Sequence, residues 1–149
     1  MCRQLQKEDI EFVYELIKTE MWNNRVEDIT RMLGYEPNGC FIAESNGKPA
    51  GHVFSVSYGK LGWIGFLIIE KTYRRMGIGK ALMLKAQQYL LNKGVETIKL
   101  DAVPEIAALY REIGFVGGYD SLRFRGTSVQ ASPARGQSIT SMREEVIDE

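Results

Sequence analysis

The stretch Arg-Arg-Met-Gly-Ile-Gly-Lys at positions 74–80 is the part of the sequence best suited to chemistry. It sets two glycines among three basic side chains, after an apolar stretch at 61–69 and before apolar residues at helical spacing. A glycine loop between a strand and a helix presents backbone N–H groups and the positive end of the helix dipole. The stretch therefore predicts an anion site, with phosphate groups as the natural ligand.

Two common phosphate motifs fail on spacing. A Walker P-loop needs a glycine five residues before Gly79, where Arg74 stands, and its Ser or Thr would replace Ala81. A dinucleotide fingerprint needs a third glycine at Leu82. That fingerprint also follows the first strand of a βαβ unit, whereas predicted hairpins precede the loop in this sequence. The spacing favours neither nucleotide class.

The chain on both sides of the loop predicts helices and strands. Helices are expected at 10–17, 26–33, 78–93 and 104–113, and strands at 40–45, 48–57, 61–69 and 97–103, with one or two more in 115–126. The second helix has Asn24 as its expected cap and Gly34 as its stop. Asn46-Gly47 predicts a hairpin turn. Gly62 and Gly65 inside a strand indicate a bulge, a ligand approach or relief of crowding.

Composition narrows the function classes. With 19 basic and 19 acidic residues the net charge is +0, so neither nucleic acid nor an anionic membrane is an expected partner. Cys2, Cys40 and His52 lack metal-ligand spacing, so no metal site is expected. No apolar run approaches ~18 residues and no signal-peptide core is seen, which favours the cytoplasm. One domain is expected at 1–126, with a linker-like tail at 127–149.

Two motifs together resemble one family. Arg74-x-x-Gly77-x-Gly79 matches the (Arg/Gln)-x-x-Gly-x-(Gly/Ala) signature of the GCN5-related N-acetyltransferases (GNAT). Residues 109–115, Leu-Tyr-Arg-Glu-Ile-Gly-Phe, are similar to the second signature, Leu-Tyr-x-x-x-Gly-Phe. The resemblance spans almost all of residues 1–125. It implies an α/β (α+β) GNAT fold, with a central mixed, mostly antiparallel sheet of about six to seven strands flanked by about four helices.

The resemblance also implies a cosubstrate, acetyl-coenzyme A (acetyl-CoA). Its pyrophosphate would lie against Arg74, Arg75, Met76, Gly77, Ile78, Gly79 and Lys80. In this family the strand before the loop separates from its neighbour, and its backbone pairs with the pantetheine arm of the cosubstrate. Here that implicates Leu67, Ile68 and Ile69, whose side chains are expected in the core.

Acetyl transfer to an amine needs a neutral amine, a polarised thioester and a protonated leaving thiolate. Tyr110 has the position from which a phenol often acts as general acid in this family. It also lies on the apolar face of its helix and suits a core residue. No general base is evident. Asp101 is preferred to Glu44 and Glu70 because its strand lies beside the expected separation, and His52 is expected to be structural.

The expected acceptor is a primary amine of a small molecule or peptide, attacked directly in a ternary complex. Trp22 and Asn23 are candidate acceptor contacts, although Trp22 equally suits a cover over the core. Val103 stands seven residues before Tyr110, where the family often has asparagine, and this pattern resembles the N-terminal domain of tandem GNAT proteins. An acyl-CoA-binding sensor without turnover is the alternative. A homodimer is a further expectation, since the final strands of such domains offer a pairing surface.

Overall fold

A mixed sheet organises the part of the chain that the computed structural model describes, residues 1–121. Its five strands are β1 (Cys2–Gln4), β2 (Cys40–Ser45), β3 (Lys48–Tyr58), β4 (Leu61–Ile69) and β5 (Thr97–Lys99). They pair in chain order, antiparallel from β1 to β4 and parallel between β4 and β5. The predicted mixed, mostly antiparallel sheet is confirmed.

The sheet differs from the prediction at its two ends. The sequence pattern does not predict β1, and β5 ends at Lys99 rather than at 103. Five strands are described where six to seven were expected. Residues 115–121 contain no strand, while 122–126 and the predicted tail lie outside the described residues. Met1–Tyr119 form one compact unit, and the domain boundary at 126 stays a prediction.

The four α-helices of the described chain match the predicted number. They are α1 (Ile10–Thr19), α2 (Val26–Tyr35), α3 (Ile78–Asn92) and α4 (Ala107–Glu112). α2 runs one residue past Gly34, its predicted stop. Its cap is not Asn24, because the Asp28 carboxylate accepts the N–H of Arg25 at 2.9 Å. Pro104 begins a 3-10 turn before α4 instead of the helix itself.

Each face of the sheet carries its own apolar core. Successive strand residues point to opposite faces, so Val53 belongs to the core beside α3 and Phe54 to the core beside α1 and α2. The α3 side also buries Ile64, Leu82, Met83 and Leu90, and the other side buries Val13, Ile17, Ile29 and Ile68. Helices on both faces therefore hold the long strands in place.

A buried carboxylate fastens the C-terminal end of α3. Glu36, just after α2, accepts hydrogen bonds from the Tyr89 hydroxyl, from Lys93 Nζ at 3.0 Å and from the N–H of Ser57 at 3.3 Å. Burial acts to raise the pKa of Glu36, but these hydrogen bonds outweigh it and hold the pKa below its ordinary value. The ionised carboxylate thereby links α3 to β3 and helps to fix the direction of the helix.

Candidate active site

We call residues 74–80 the phosphate loop, after the ligand that the sequence predicts for it; this loop joins β4 to α3. A 3-10 turn at Lys71–Tyr73 follows β4, and Gly77 precedes the first residue of α3. The backbone has φ 63° at Arg75 and φ 77° at Gly77. Glycine adopts this left-handed conformation without the steric cost that other residues incur. The loop thus turns the chain abruptly from the strand into the helix.

The amides at the start of α3 are available to a ligand. The N–H of Ala81 donates to the carbonyl of Gly77 at 3.0 Å, and by helix geometry the three amides before it have no acceptor in the helix. A Cβ added at Gly77 would meet nothing within 4 Å, and one at Gly79 would meet only Ile69 at 3.6 Å or more. Open amides at a helix N-terminus are suited to binding phosphate.

The basic side chains of the loop differ in their surroundings. Arg74 Nε donates to the carbonyl of Ile69 at 2.9 Å, and its Nη2 pairs with the carboxylate of Glu20, just after α1. Arg75 and Lys80 are exposed, and neither forms an ion pair with another described residue. These two side chains, with no carboxylate partner there, are free to reach an anion in front of the loop.

β4 and β5 separate, as the family resemblance implies. They pair only where Leu61–Trp63 face Thr97–Lys99, and beyond Trp63 β4 is paired with β3 alone among the described strands. Ile68 is buried, while Leu67 and Ile69 are partly buried against the core beside α3. Their side chains thus lie in the core, as expected, and their backbone forms an open edge.

A bulge interrupts β4 beside this edge. Phe54 pairs with Gly65 and His52 with Ile68. Val53 therefore faces two residues of β4, and one of them, Phe66, has φ 51°. A bulge bends its strand and commonly re-aims side chains near functional sites. The strand glycines differ in role, because a Cβ at Gly65 would have ordinary contacts, whereas one at Gly62 would come within 2.8 Å of Leu90.

A cleft of about 70 Å³ lies in the gap between β4 and the segment after β5. It is lined by Trp22, Ile64, Gly65, Phe66, Leu67, Met83, Leu100, Asp101, Val103, Ile106 and Tyr110. The fold thus gathers Trp22, Leu67, Asp101 and Tyr110, which the sequence singled out. Asn23 is exposed and does not line the cleft. A larger groove of about 370 Å³ between α3 and β5 contains none of the predicted site residues.

Tyr110 belongs both to the core and to the wall of the cleft. It is 7% exposed, and its ring packs edge-on against Phe115 with 6.1 Å between centroids. Burial raises the pKa of Tyr110 above its ordinary value. Its hydroxyl has no hydrogen-bond partner in the described part of the chain. The phenol therefore stays protonated at neutral pH and is available as a proton donor.

The carboxylates considered as bases occupy different places. Asp101 is exposed and lines the cleft two residues beyond β5. Glu44 pairs with Arg3 Nε at 2.7 Å, and Glu70 accepts a hydrogen bond from the Thr72 hydroxyl at 2.9 Å. Neither Glu44 nor Glu70 lines the cleft. Of the three carboxylates, Asp101 is the one placed to receive a proton there.

His52 lies below the bulge, away from solvent. The imidazole is fully buried, packs edge-on against Phe54 and has no hydrogen-bond partner at either nitrogen. Burial lowers the pKa of His52 to about 3. The backbone of Phe66 lies near enough to oppose this shift but does not meet hydrogen-bond geometry with the ring, so burial dominates. The ring is therefore neutral at pH 7. It does not line the cleft.

The family model described as the acetyltransferase (GNAT) family matches residues 4–115. The chain belongs to the GNAT family. An acetyltransferase of Pectobacterium atrosepticum is 29% identical over 105 residues, which are 69% of each chain. Holothin acyltransferase of a Pseudoalteromonas species is 27% identical over 136 residues, 89% of this chain and 45% of that protein.

A solved structure agrees with this assignment. A crystal structure from Pyrococcus horikoshii, described as that of a proposed acetyltransferase, has a TM-score of 0.72 and 29% identity over 80% of this chain and 44% of its own. The chain thus spans less than half the length of that structure and of holothin acyltransferase. The GNAT fold is confirmed, and the enzyme class of the relatives is acyl transfer.

Sequence reasoning missed five residues that line this GNAT cleft: Ile64, Phe66, Met83, Leu100 and Ile106. Phe66 directly follows Gly65, and a glycine inside a strand was the available signal of a bulge. Ile106 gave no signal beyond helical periodicity. Within residues 1–121, no three potential metal-ligand side chains come together, and no helix is long and apolar enough to cross a bilayer.

Proposed function

We propose that this GNAT protein moves an acetyl group from acetyl-CoA to a primary amine of a small molecule or peptide, by direct attack in a ternary complex. The observation that carries the proposal is the position of Tyr110 in a cleft beside the open edge of β4, the strand that leads into the phosphate loop. Family membership supports acetyl transfer in general. The donor, the acceptor and the mechanism are the proposal.

The residues present suit acetyl-CoA. The open amides of Ile78, Gly79 and Lys80 and the side chain of Arg75 would hold the pyrophosphate. At residues 67–69, β4 pairs with β3 but has no described partner strand on the β5 side. That free edge suits the amides of the pantetheine arm, since a strand edge offers both donors and acceptors. When bound, acetyl-CoA supplies an acyl carbon activated by its thioester.

The reaction requires two proton movements that side chains of the cleft can serve. The acceptor nitrogen forms a bond to the acyl carbon while the carbon–sulfur bond breaks. Tyr110 donates its proton to the departing sulfur and regains one from solvent. The proton lost by the nitrogen passes to Asp101 or to water. The phenol of Tyr110 carries its proton at neutral pH, as an ordinary phenol does, and the burial that raises its pKa opposes ionisation.

Other parts of the proposal rest on sequence reasoning and position. Trp22 forms an apolar wall for the acceptor, and Asn23 is proposed as a polar contact at its entrance. We place the protein in the cytoplasm, as its sequence favours. No nucleic-acid or membrane partner is proposed. A homodimer remains a prediction, which the molecular mass measured in solution would test.

Calorimetric titration of acetyl-CoA into the protein tests the cofactor site. Gly79→Glu should abolish binding, because it adds bulk and a negative charge among the phosphate-binding amides. Gly34→Glu is the matched control, since Gly34 lies exposed on α2 with nothing within 4 Å of its Cβ position. Absence of binding to the parent, or equal binding to the two variants, would remove the proposal.

One observation favours a second function, an acyl-CoA sensor without turnover. Val103 lines the cleft where the family often has an asparagine that helps to hold pantetheine. Acetyl transfer to a panel of amines, followed by release of free thiol, separates the two functions. Saturable acetyl-CoA binding without thiol release for any amine would support the sensor. Loss of thiol release in Tyr110→Phe, with release retained in the control Tyr119→Phe, would support the enzyme.

A further inference from the structure

Left-handed backbone conformations occur at residues other than glycine, one of them in the wall of the cleft. Among the described residues other than glycine, φ is positive at Met21 (56°), Asn46 (51°), Phe66 (51°) and Arg75 (63°). Asn46 lies in a hairpin turn, where this conformation is usual. The other three lie in the segment after α1, in the β4 bulge and in the phosphate loop. Such conformations persist where neighbouring contacts fix them.

Two contacts connect these three places. The carboxylate of Glu20 pairs with Arg74 Nη2, which ties the end of α1 to the phosphate loop. The ring of Trp22 stands edge-on to Phe66, with 5.8 Å between centroids and 80° between planes. Met21 lies between the two contact residues and is 93% exposed. The segment 20–22 is therefore held at both of its ends, by elements that would hold acetyl-CoA.

Arg74 is able to join a phosphate and Glu20 at once. A guanidinium has five N–H donors. One Arg74 donor serves the carbonyl of Ile69 and another serves Glu20, which leaves three. The Arg74 and Glu20 side chains are 43% and 29% exposed, so the pair lies at the surface, where a bound anion can reach it.

We propose that Glu20 is a positioning residue that couples the phosphate loop to Trp22, the apolar wall of the acceptor site. A phosphate bound at the loop restrains Arg74, Arg74 restrains Glu20, and the segment 20–22 then holds Trp22 against Phe66. The inference rests on the proposed binding of CoA at this loop. Binding of the cosubstrate would thereby order Trp22, the wall of the acceptor site.

Fluorescence quenching of Trp22 tests the coupling, with CoA as the probe. The chain has two tryptophans, so Trp63→Phe leaves Trp22 as the only one. In this parent, saturating CoA should lower the acrylamide quenching constant about twofold. Glu20→Gln should remove most of that response while weakening CoA binding by about two- to fivefold, the range expected for a partly exposed ion pair.

Glu15→Gln is the matched control, because Glu15 lies on α1 in an exposed pair with Lys18 and forms no described hydrogen bond or ion pair with the loop. It should respond as the parent does. In an Arg74→Gln background, Glu20→Gln should have no further effect, since the coupling runs through Arg74.

Three results would overturn the coupling. One is CoA binding to the parent in calorimetry with no change in the quenching of Trp22. Another is a Glu20→Gln response as large as that of Glu15→Gln. Tighter CoA binding by Glu20→Gln would show that Glu20 competes with phosphate for Arg74. Failure of CoA to bind the parent at all is a distinct result, which would remove the proposed function together with the coupling.

Discussion

Acidification should destabilise this protein through His52. The imidazole is fully buried, and burial lowers its pKa from 6.5 to about 3. In the unfolded chain the ring titrates near its ordinary pKa of about 6.5. Because the folded pKa lies below the unfolded one, the unfolded state binds more protons between these values. Stability is therefore lost as the pH falls from about 6.5 toward 3.

The size of the effect follows from the two pKa values. At pH 7 the unfolded ring is mostly neutral, and its protonation favours unfolding by only about 0.2 kcal/mol. Each pH unit between the two pKa values adds about 1.4 kcal/mol. At pH 5 the difference is about 2 kcal/mol, a substantial part of the about 5–15 kcal/mol by which a domain is stable.

Urea unfolding followed by circular dichroism at pH 7, 6 and 5 measures this effect. His52→Leu removes the titrating group, and replacing an unpaired buried polar ring by an apolar side chain should cost little stability at pH 7. Carboxylates titrate in both proteins, so their contribution cancels in the comparison. Between pH 7 and 5 the parent should lose about 2 kcal/mol more than the variant. Parallel losses in the two proteins, and also in His52→Gln, would refute the argument.

Three further predictions concern the cleft, the phosphate loop and the anchor of α3. Tyr110→Phe should lower kcat about 10²-fold and leave the Kd of acetyl-CoA unchanged in calorimetry; an unchanged kcat would exclude a general acid. Gly77→Ala should cost about 1–2 kcal/mol in thermal unfolding, because its φ is 77°; an unchanged Tm would contradict this. Glu36→Gln should cost about 1–3 kcal/mol at pH 7, since it weakens the bonds from Tyr89 and Lys93. Folding lowers the pKa of Glu36. The stability that Glu36 contributes is therefore present above its unfolded pKa and is lost as the pH falls through its folded pKa. If Glu36→Gln lost stability in acid as steeply as the parent, this argument would be wrong.

Local sequence patterns were sufficient to predict the helices and turns whose signal lies within a short stretch of residues. The apolar stripe of α1 and the long helix after the loop are features of short windows of sequence, and both were predicted. Asn46-Gly47 specifies its turn because both residues adopt positive φ, 51° and 74°. The position of Tyr110 beside the gap followed from the family motif. The sequence also allowed both positions for Tyr110, one in the core and one beside the cleft.

Features that depend on distant partners were not predictable in this way. β1 has three residues, too few to show alternation, and only its pairing with β2 defines it. The bulge puts the positive φ on Phe66 and not on the neighbouring glycine, because the register with β3 decides it. Arg74 meets a carboxylate 54 residues earlier in the chain. No local pattern of charge or polarity indicates that contact.

The open edge of β4 has a consequence for the solubility of the protein. Unpaired strand edges are templates on which other chains add strands, and an apolar edge is especially prone to aggregation. Beyond Trp63, β4 runs through Ile64, Leu67 and Ile69 without a partner on the β5 side among the described strands. A ligand that occupies this edge would also shield it from other chains. Acetyl-CoA or CoA should therefore slow the growth of light scattering when the protein is stored concentrated and warm, and Gly79→Glu should lose that protection.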